Sequence, residues 1–206
     1  MTEETALRDE ICRLARSLFE RGLTAGSSGN LSARLPDGFL MTPTNSCLGF
    51  LDPDRLSKLD PAGAHVAGDP PTKEVPLHMA FYHARPAAGG VVHLHSTYAT
   101  ALSCLADTDP EDAIPPITPY VVMRVGRVPL VPYSRPGSAA AAPLIAARAA
   151  GAAAVLLANH GPVVSAKSFR DAVFAAEELE ETARLVLITR GMPVRRLTPG
   201  QIAELG

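Results

Sequence analysis

The stretch Val91-Val92-His93-Leu94-His95 places two histidines, one residue apart, in an otherwise apolar run. A short apolar run of this kind predicts a buried β-strand in a covered sheet. Side chains on a strand alternate between its two faces, so His93 and His95 project from the same face and can bind one ion together. The run therefore predicts both a central sheet and the start of a metal site.

A third histidine, His160, ends another apolar run as Ala158-Asn159-His160-Gly161. Catalytic Zn²⁺ sites use three or four nitrogen, oxygen or sulfur ligands and leave a position for water or substrate. Glu74 is the candidate carboxylate for this set. The alternative, polar side chains that are merely hydrogen-bonded in a core, is disfavoured because buried imidazoles and carboxylates are costly unless paired or coordinated.

The composition is that of an ordinary globular protein. The chain has 206 residues, of which 47% are hydrophobic and 19% charged, which predicts a single domain over residues 1–206. A formal net charge of -2 gives no general attraction to nucleic acid or to an anionic membrane. The expected partner is therefore a small molecule, and a local cationic pocket for a phosphorylated metabolite remains compatible with this charge.

The chain is expected to be cytoplasmic. Its first residues, Met1 to Thr5, are acidic and lack the features of a signal peptide. The longest apolar region, residues 139–158, is interrupted by Pro143, Arg148 and Gly151 and is no membrane span. The three cysteines are widely spaced, without a Cys-x-x-Cys pair, and are interpreted as reduced thiols.

Hydrophobic periodicity and turn signals divide the chain into helices and strands. Helices are predicted over residues 4–21, 75–83 with Thr72 as a possible cap, 97–105, from Pro136-Gly137-Ser138 to about 149, and 168–189. Strands are predicted near residues 32–34, 39–42, 56–59, 91–94, 120–122, 128–131 and 153–157. This order predicts an α/β fold with helices on both faces of a mixed sheet, a three-layer α/β/α sandwich.

Five motifs occur in order across about 130 residues: Gly29-Asn30-Leu31-Ser32, Thr42-Pro43-Thr44, Lys73-Glu74, His93-Leu94-His95 and Asn159-His160-Gly161. Together they resemble the class II aldolase/adducin family. The resemblance implies a largely antiparallel central sheet and a homotetramer with sites between subunits. It also implies a Zn²⁺ ion, or Mn²⁺ or Co²⁺ in its place, held by His93, His95 and His160. Glu74 would be the fourth ligand, the general acid/base, or both in turn.

Within the family, residues 44–49 and 71–75 are similar to a branch that decarboxylates 3-oxo-tetronate 4-phosphate. The implied reaction is a metal-dependent carbon–carbon cleavage that gives dihydroxyacetone phosphate and CO₂ through an enediolate. Two enzymatic alternatives stay open: a sugar-phosphate aldolase of the fuculose or rhamnulose type, and a ribulose-phosphate 4-epimerase. A third alternative is a non-catalytic module like adducin. Such a module would not need metal ligands, so the full ligand set argues against it.

The resemblance also implies where the substrate phosphate binds. Its cradle would be the turn of residues 26–30 together with a second loop after residue 42, and the candidate contacts are Ser28, Gly29, Asn30, Thr44, Asn45, Thr72 and Lys73. Thr72 and Lys73 stand where the aldolases have two serines. Lys73 could neutralise phosphate, orient a substrate carboxylate, or be a solvated surface charge.

One tyrosine and three further histidines also have predicted roles or positions. Tyr120 is similar to a family tyrosine that reaches a neighbouring subunit's site as a proton donor, so it is a second candidate catalytic residue. His78 follows Glu74 by four residues and is expected to pack behind or support the ligands. His65 and His83 are expected to be solvated.

Overall fold

An eight-stranded sheet forms the centre of the computed structural model, which describes residues 2–205. Met1 and Gly206, the two ends of the predicted domain, lie outside the described residues. The strands are β1 (Asn30–Leu35), β2 (Gly38–Met41), β3 (Ser57–Leu59), β4 (His65–Ala67), β5 (Gly90–His93), β6 (Leu130–Val131), β7 (Ala154–Leu157) and β8 (Gly161–Ala166). Their order is β4-β3-β2-β1-β5-β8-β7-β6, and β6–β7 is the parallel pair in an otherwise antiparallel sheet.

Helices cover both faces of this sheet. They are α1 (Glu3–Glu20), α2 (Val75–Ala84), α3 (Thr97–Ser103), α4 (Pro119–Arg124), α5 (Ala141–Ala149), α6 (Phe169–Ile188) and α7 (Pro199–Ala203). Helices α1, α3, α4 and α6 share one hydrophobic cluster, while α2 and α5 share the other. The predicted three-layer α/β/α sandwich is confirmed.

Strand alternation divides the core between the two clusters. Val92 and Val164 pack with α1 and α6, whereas their neighbours Val91 and Val163 pack with α2 and α5, and all four are fully buried. Since both faces of these strands are covered, each strand must be apolar at consecutive positions. This requirement explains the continuous apolar runs from which the sheet was predicted.

Local signals fix the ends of the long helices. In α1, Thr2 Oγ1 accepts a hydrogen bond from the Thr5 backbone N–H. In α6, Ser168 Oγ accepts one from the Asp171 N–H, and Thr189 follows as the C-terminal cap. Capping satisfies backbone groups that the helix leaves free at its ends. Both helices agree with their predicted ranges to within a residue.

Among residues 2–205, no helix combines the length and apolarity needed to span a bilayer.

Three local predictions were wrong or incomplete. Residues 120–122 were predicted as a strand but lie in α4, because Thr118 caps the helix and Pro119 occupies its first turn, which overrides the β-branched run. Thr72 is not the cap of α2, since Glu74 holds that position and Thr72 Oγ1 accepts from the Glu74 N–H. Strands β4 and β8 were not predicted.

Candidate active site

Three imidazole nitrogens converge at one end of the central strands. His93 ends β5, His95 follows it by two residues, and His160 directly precedes β8, which pairs with β5. The His93 Nε2 atom lies 3.2 Å from the Nε2 atoms of both His95 and His160, and the last two lie 3.0 Å apart. Tetrahedral Zn–N bonds of 2.0–2.1 Å imply nitrogen pairs about 3.3 Å apart. The spacing therefore suits three ligands of one ion.

His93 is held in the tautomer that a metal ligand requires. Its Nδ1 lies 2.9 Å from the Pro162 carbonyl oxygen. A carbonyl only accepts, so Nδ1 carries the proton and Nε2 keeps its lone pair. Burial, followed by the facing His160 and His95, holds the pKa of His93 well below its usual value. His93 is therefore neutral and ready to coordinate.

The Glu74 carboxylate lies beside the three imidazoles. Its position indicates whether a cation fits the cluster. Glu74 Oε2 lies 3.3 Å from His93 Nε2, and Oε1 lies 3.7 Å from His160 Nε2. Since His93 Nε2 is unprotonated, a carboxylate oxygen faces a nitrogen lone pair, an arrangement that repels unless positive charge lies between them. The residues present thus fit a divalent ion with three histidine ligands and one carboxylate.

A chain of directed hydrogen bonds supports Glu74 from behind. Asn30 Nδ2 donates to Glu74 Oε2 over 2.8 Å, and His78 Nε2 donates to Asn30 Oδ1 over 2.6 Å. The His78 Nδ1 atom is then the acceptor for the Ser32 hydroxyl at 2.7 Å, and the Tyr82 hydroxyl lies 2.8 Å from Ser32 Oγ. Every donor in this chain faces toward Glu74, so the network holds the carboxylate in one orientation and in its acceptor form.

His78 is therefore a supporting residue, as its spacing from Glu74 suggested. It is completely buried, and this burial, together with the nearby His93, lowers its pKa from 6.5 to about 3. Ser32 and Tyr82 were not singled out from the sequence. Two spacings could have indicated them: Ser32 follows Asn30 by two residues on β1, and Tyr82 follows His78 by four on α2.

The lowered pKa values predict acid lability of the metal-free protein. Complete burial lowers the pKa values of His78 and His93 below the usual 6.5, and partial burial lowers those of His95 and His160. The unfolded chain therefore binds more protons below pH 6.5. The free energy of unfolding should fall as the pH drops below that value, by about 1.4 kcal/mol per unit for each histidine that stays neutral.

Urea unfolding in the presence of a chelator at pH 7.5, 6 and 5 measures this loss. As an independent check, the ring NMR signals of His78 should show no titration down to pH 5. A His78 that titrates near pH 6.5, or stability that is flat between pH 7.5 and 5, contradicts the prediction.

The residues predicted to bind phosphate differ in whether their polar groups are exposed or already hydrogen-bonded within the protein. The Asn30 side chain is buried and engaged with Glu74 and His78, and the Ser28 hydroxyl donates to the Ala25 carbonyl within its own turn. Gly29, at φ +78°, has room for no side chain, because an added Cβ would meet the His93 carbonyl oxygen at 2.9 Å. The turn thus lies directly against the metal cluster and offers mainly its backbone.

The second predicted phosphate loop is attached to the segment that carries Lys73. Thr44 N donates to the Pro70 carbonyl, and Thr72 N donates to the Thr42 carbonyl, which brings residues 42–46 beside residues 70–74. Thr72 is buried, whereas Lys73 and Asn45 are exposed. The structure therefore brings Thr44 and Asn45 beside Thr72 and Lys73, which directly precede Glu74.

Tyr120 lies apart from the histidine cluster of its own chain. It is 58% exposed on α4, where it borders a surface groove with Arg21 and Phe174. The predicted role requires Tyr120 to reach the site of a neighbouring subunit, so its distance from this cluster does not bear on that role.

Comparison with known proteins gives matches over nearly the whole chain. Residues 9–187 match the family described as the Class II Aldolase and Adducin N-terminal domain. The chain is 56% identical over 203 residues to the 3-oxo-tetronate 4-phosphate decarboxylase of Escherichia coli K12, covering 98% of this chain and 96% of that protein. It is 32% identical over 205 residues to the L-fuculose phosphate aldolase of the same strain, covering 98% and 93%. The crystal structure of YgbL from Escherichia coli superposes with a TM-score of 0.97 at 54% identity, covering 99% of both chains.

Proposed function

Because this chain belongs to the class II aldolase and adducin family, we propose that it is a metal-dependent lyase that decarboxylates 3-oxo-tetronate 4-phosphate. The products would be dihydroxyacetone phosphate and CO₂. One observation favours this reaction over aldol cleavage. The decarboxylase relative is 56% identical over 98% of the chain, against 32% for the aldolase. The convergence of His93, His95, His160 and Glu74 supports the chemistry that either reaction needs.

The three histidines would hold a divalent ion, Zn²⁺ first and Mn²⁺ or Co²⁺ as alternatives, with Glu74 as the adjacent carboxylate. Such an ion, when bound, supplies positive charge beside the oxygen on which negative charge develops. Loss of CO₂ sends the electron pair of the C1–C2 bond toward the C3 oxygen. Everything else in the step is done by residues that position the substrate and move its protons.

Glu74 is the proton donor that this mechanism assigns. After CO₂ leaves, C2 of the enediolate must gain a proton, so Glu74, an acceptor in the resting site, would take up a proton from solvent and deliver it to C2. Asn30 fixes the orientation of the carboxylate through Oε2, and both carboxylate oxygens face the cluster, Oε2 toward His93 and Oε1 toward His160. Glu74 is thus both the neighbour of the ion and the general acid.

The substrate phosphate would act as a remote handle. Ser28, Gly29, Asn30, Thr44, Asn45, Thr72 and Lys73 are the proposed contacts, and their binding energy would hold the reacting carbons beside the cluster. Tyr120, supplied by a neighbouring subunit of a homotetramer, is the second proposed proton donor. The proposal treats residues 1–206 as a single cytoplasmic domain of this enzyme.

A direct assay tests the reaction. Purified protein loaded with Zn²⁺ should release CO₂ and dihydroxyacetone phosphate from 3-oxo-tetronate 4-phosphate, and a chelator should stop both. The same preparation should cleave fuculose 1-phosphate or rhamnulose 1-phosphate at least about 100-fold more slowly, because the site would then be built for a carboxylate rather than an aldehyde.

Cleavage of a sugar phosphate without CO₂ release from the 3-oxo acid would instead identify an aldolase, the alternative that the 32% identical relative represents. Interconversion of pentulose phosphates would identify an epimerase. A protein that binds no divalent ion and turns over none of these compounds would be a non-catalytic module.

A further inference from the structure

A tight turn between β6 and α5 lies beside the site and carries an arginine that the catalytic proposal does not use. Ser138 N donates to the Arg135 carbonyl over 3.0 Å, Pro136 follows Arg135, and Gly137 has φ +74°. These features fit a type II β-turn, in which proline occupies the second position and glycine the third. The turn therefore presents Arg135 on a backbone with little freedom.

The turn forms one wall of a small cavity that Glu74 and His160 also line. The cavity measures about 20 Å³, room for a group the size of one water molecule or one carboxylate oxygen. Its remaining wall is largely apolar, with Leu77, Ile145 and Leu157 among the lining side chains. A polar group entering here therefore finds few partners besides Glu74, His160 and the turn.

Arg135, a residue of the cavity wall, and Lys73, which lies next to the turn, both lack an acidic partner. Within residues 2–205, no Asp or Glu oxygen lies within 4.0 Å of the charged nitrogens of Arg135 or Lys73. The turn approaches Lys73 closely, since a Cβ added to Gly137 would lie 3.5 Å from the Lys73 Cβ and carbonyl oxygen. Arg135 thus lies near Lys73 in space but on a different segment of the chain, separate from the predicted phosphate loops.

We propose that Arg135 binds the C1 carboxylate of the substrate and so determines specificity for a 3-oxo acid. This inference rests on the proposed function. The substrate carries anions at both ends, and the predicted phosphate loops account for only one of them. A carboxylate placed beside Glu74 meets like-charge repulsion, which the guanidinium of Arg135, a residue of the same cavity wall, would offset. Arginine also offers two parallel N–H donors that match a carboxylate.

Because the carboxylate is lost as CO₂, its ion pair with Arg135 is expected to affect KM rather than to increase kcat. The carboxylate is charged in the bound substrate but leaves as neutral CO₂, so its ion pair with Arg135 weakens toward the transition state. An interaction that is stronger in the ground state lowers KM without raising kcat. The variant Arg135→Met should therefore raise KM about tenfold or more, while kcat does not fall and rises to the extent that the ion pair is lost in the transition state.

A binding cycle tests the assignment without turnover. The ligands are tetronate 4-phosphate, which has a 3-hydroxyl and cannot decarboxylate, and the tetritol phosphate in which CH₂OH replaces its carboxylate. Calorimetry with the Zn²⁺-loaded wild type should show tighter binding of the acid by about tenfold. Arg135→Met should remove this preference and bind the alcohol as the wild type does, and Arg135→Lys should restore it in part. Arg16→Met, a change at an exposed arginine of α1, is the matched control.

Each outcome decides the assignment. Equal loss of affinity for both ligands would overturn it, since Arg135 would then contact the phosphate or support the fold. An unchanged preference in Arg135→Met would overturn it as well, and would identify a solvated surface charge. A wild type that prefers the acid but releases no CO₂ from the 3-oxo acid would leave Arg135 as a carboxylate-binding residue and remove the decarboxylase proposal alone.

Discussion

Replacing His95 by alanine is expected to remove the bound ion and to lower the rate of CO₂ release by at least about 10³-fold. The physical reason is that positive charge beside the C3 oxygen contributes several kcal/mol to stabilising the enediolate, and each 1.36 kcal/mol is a factor of ten. With His95 gone, the cluster retains two imidazoles and Glu74, one ligand fewer than before, and holds a divalent ion more weakly. His95 is preferable to His93 for this test because His93 is completely buried and its truncation would leave a cavity.

Two measurements check the result. Elemental analysis of the dialysed protein should fall from about one ion per chain to near zero, and circular dichroism should show that the fold remains. The matched control is His83→Ala, an exposed histidine in the last turn of α2, which should retain both the ion and the activity. Full activity of His95→Ala after chelation would remove the metal-dependent mechanism.

Glu74→Gln is expected to lower kcat by about 10²- to 10⁴-fold while the chain stays folded, because an amide cannot deliver the proton that C2 needs. The substitution preserves the shape of the side chain, and its carbonyl oxygen can still accept the hydrogen bond from Asn30. The ion should remain bound, though more weakly, since the three histidines are unchanged.

Product analysis in D₂O tests the role of Glu74 as proton donor separately from its position beside the ion. The wild type should place deuterium on one face of C2, because a positioned acid delivers the proton, whereas residual product of Glu74→Gln should be labelled on both faces. Glu181→Gln, an exposed carboxylate on α6, is the control and should match the wild type. If Glu74→Gln kept wild-type kcat and stereospecific labelling, another residue would have to be the acid.

Much of the architecture could be predicted because it depends on short-range patterns. Both faces of β5 are covered, so Val91 and Val92 are both apolar, and this made the strand recognisable. Thr2 and Ser168 cap α1 and α6 through bonds to residues three positions on. Residues 120–122 were misassigned because their β-branched side chains favour a strand, and the helix is decided by Thr118 and Pro119 before them.

The candidate ligands could also be named from the sequence. The spacing of His93 and His95 fixes their shared face by strand geometry alone. His160 and Glu74 were named as the further ligands that a Zn²⁺ site requires, and the resemblance implies the same residues. Their mutual distances could not be predicted, because they depend on the pairing of β5 with β8 and on the position of α2 beside β1.

The sequence by itself thus determined the layers, the strand faces and the residue types that hold a cation, since these follow from local periodicity and burial. Only the tertiary structure decided that Tyr82, Ser32, His78 and Asn30 are aligned donor to acceptor behind Glu74. Only the tertiary structure placed Arg135 in the wall of a cavity that Glu74 also lines. Hydrogen bonds act over a few ångströms, and residues 44 to 50 positions apart come that close only when the sheet and its helices have packed.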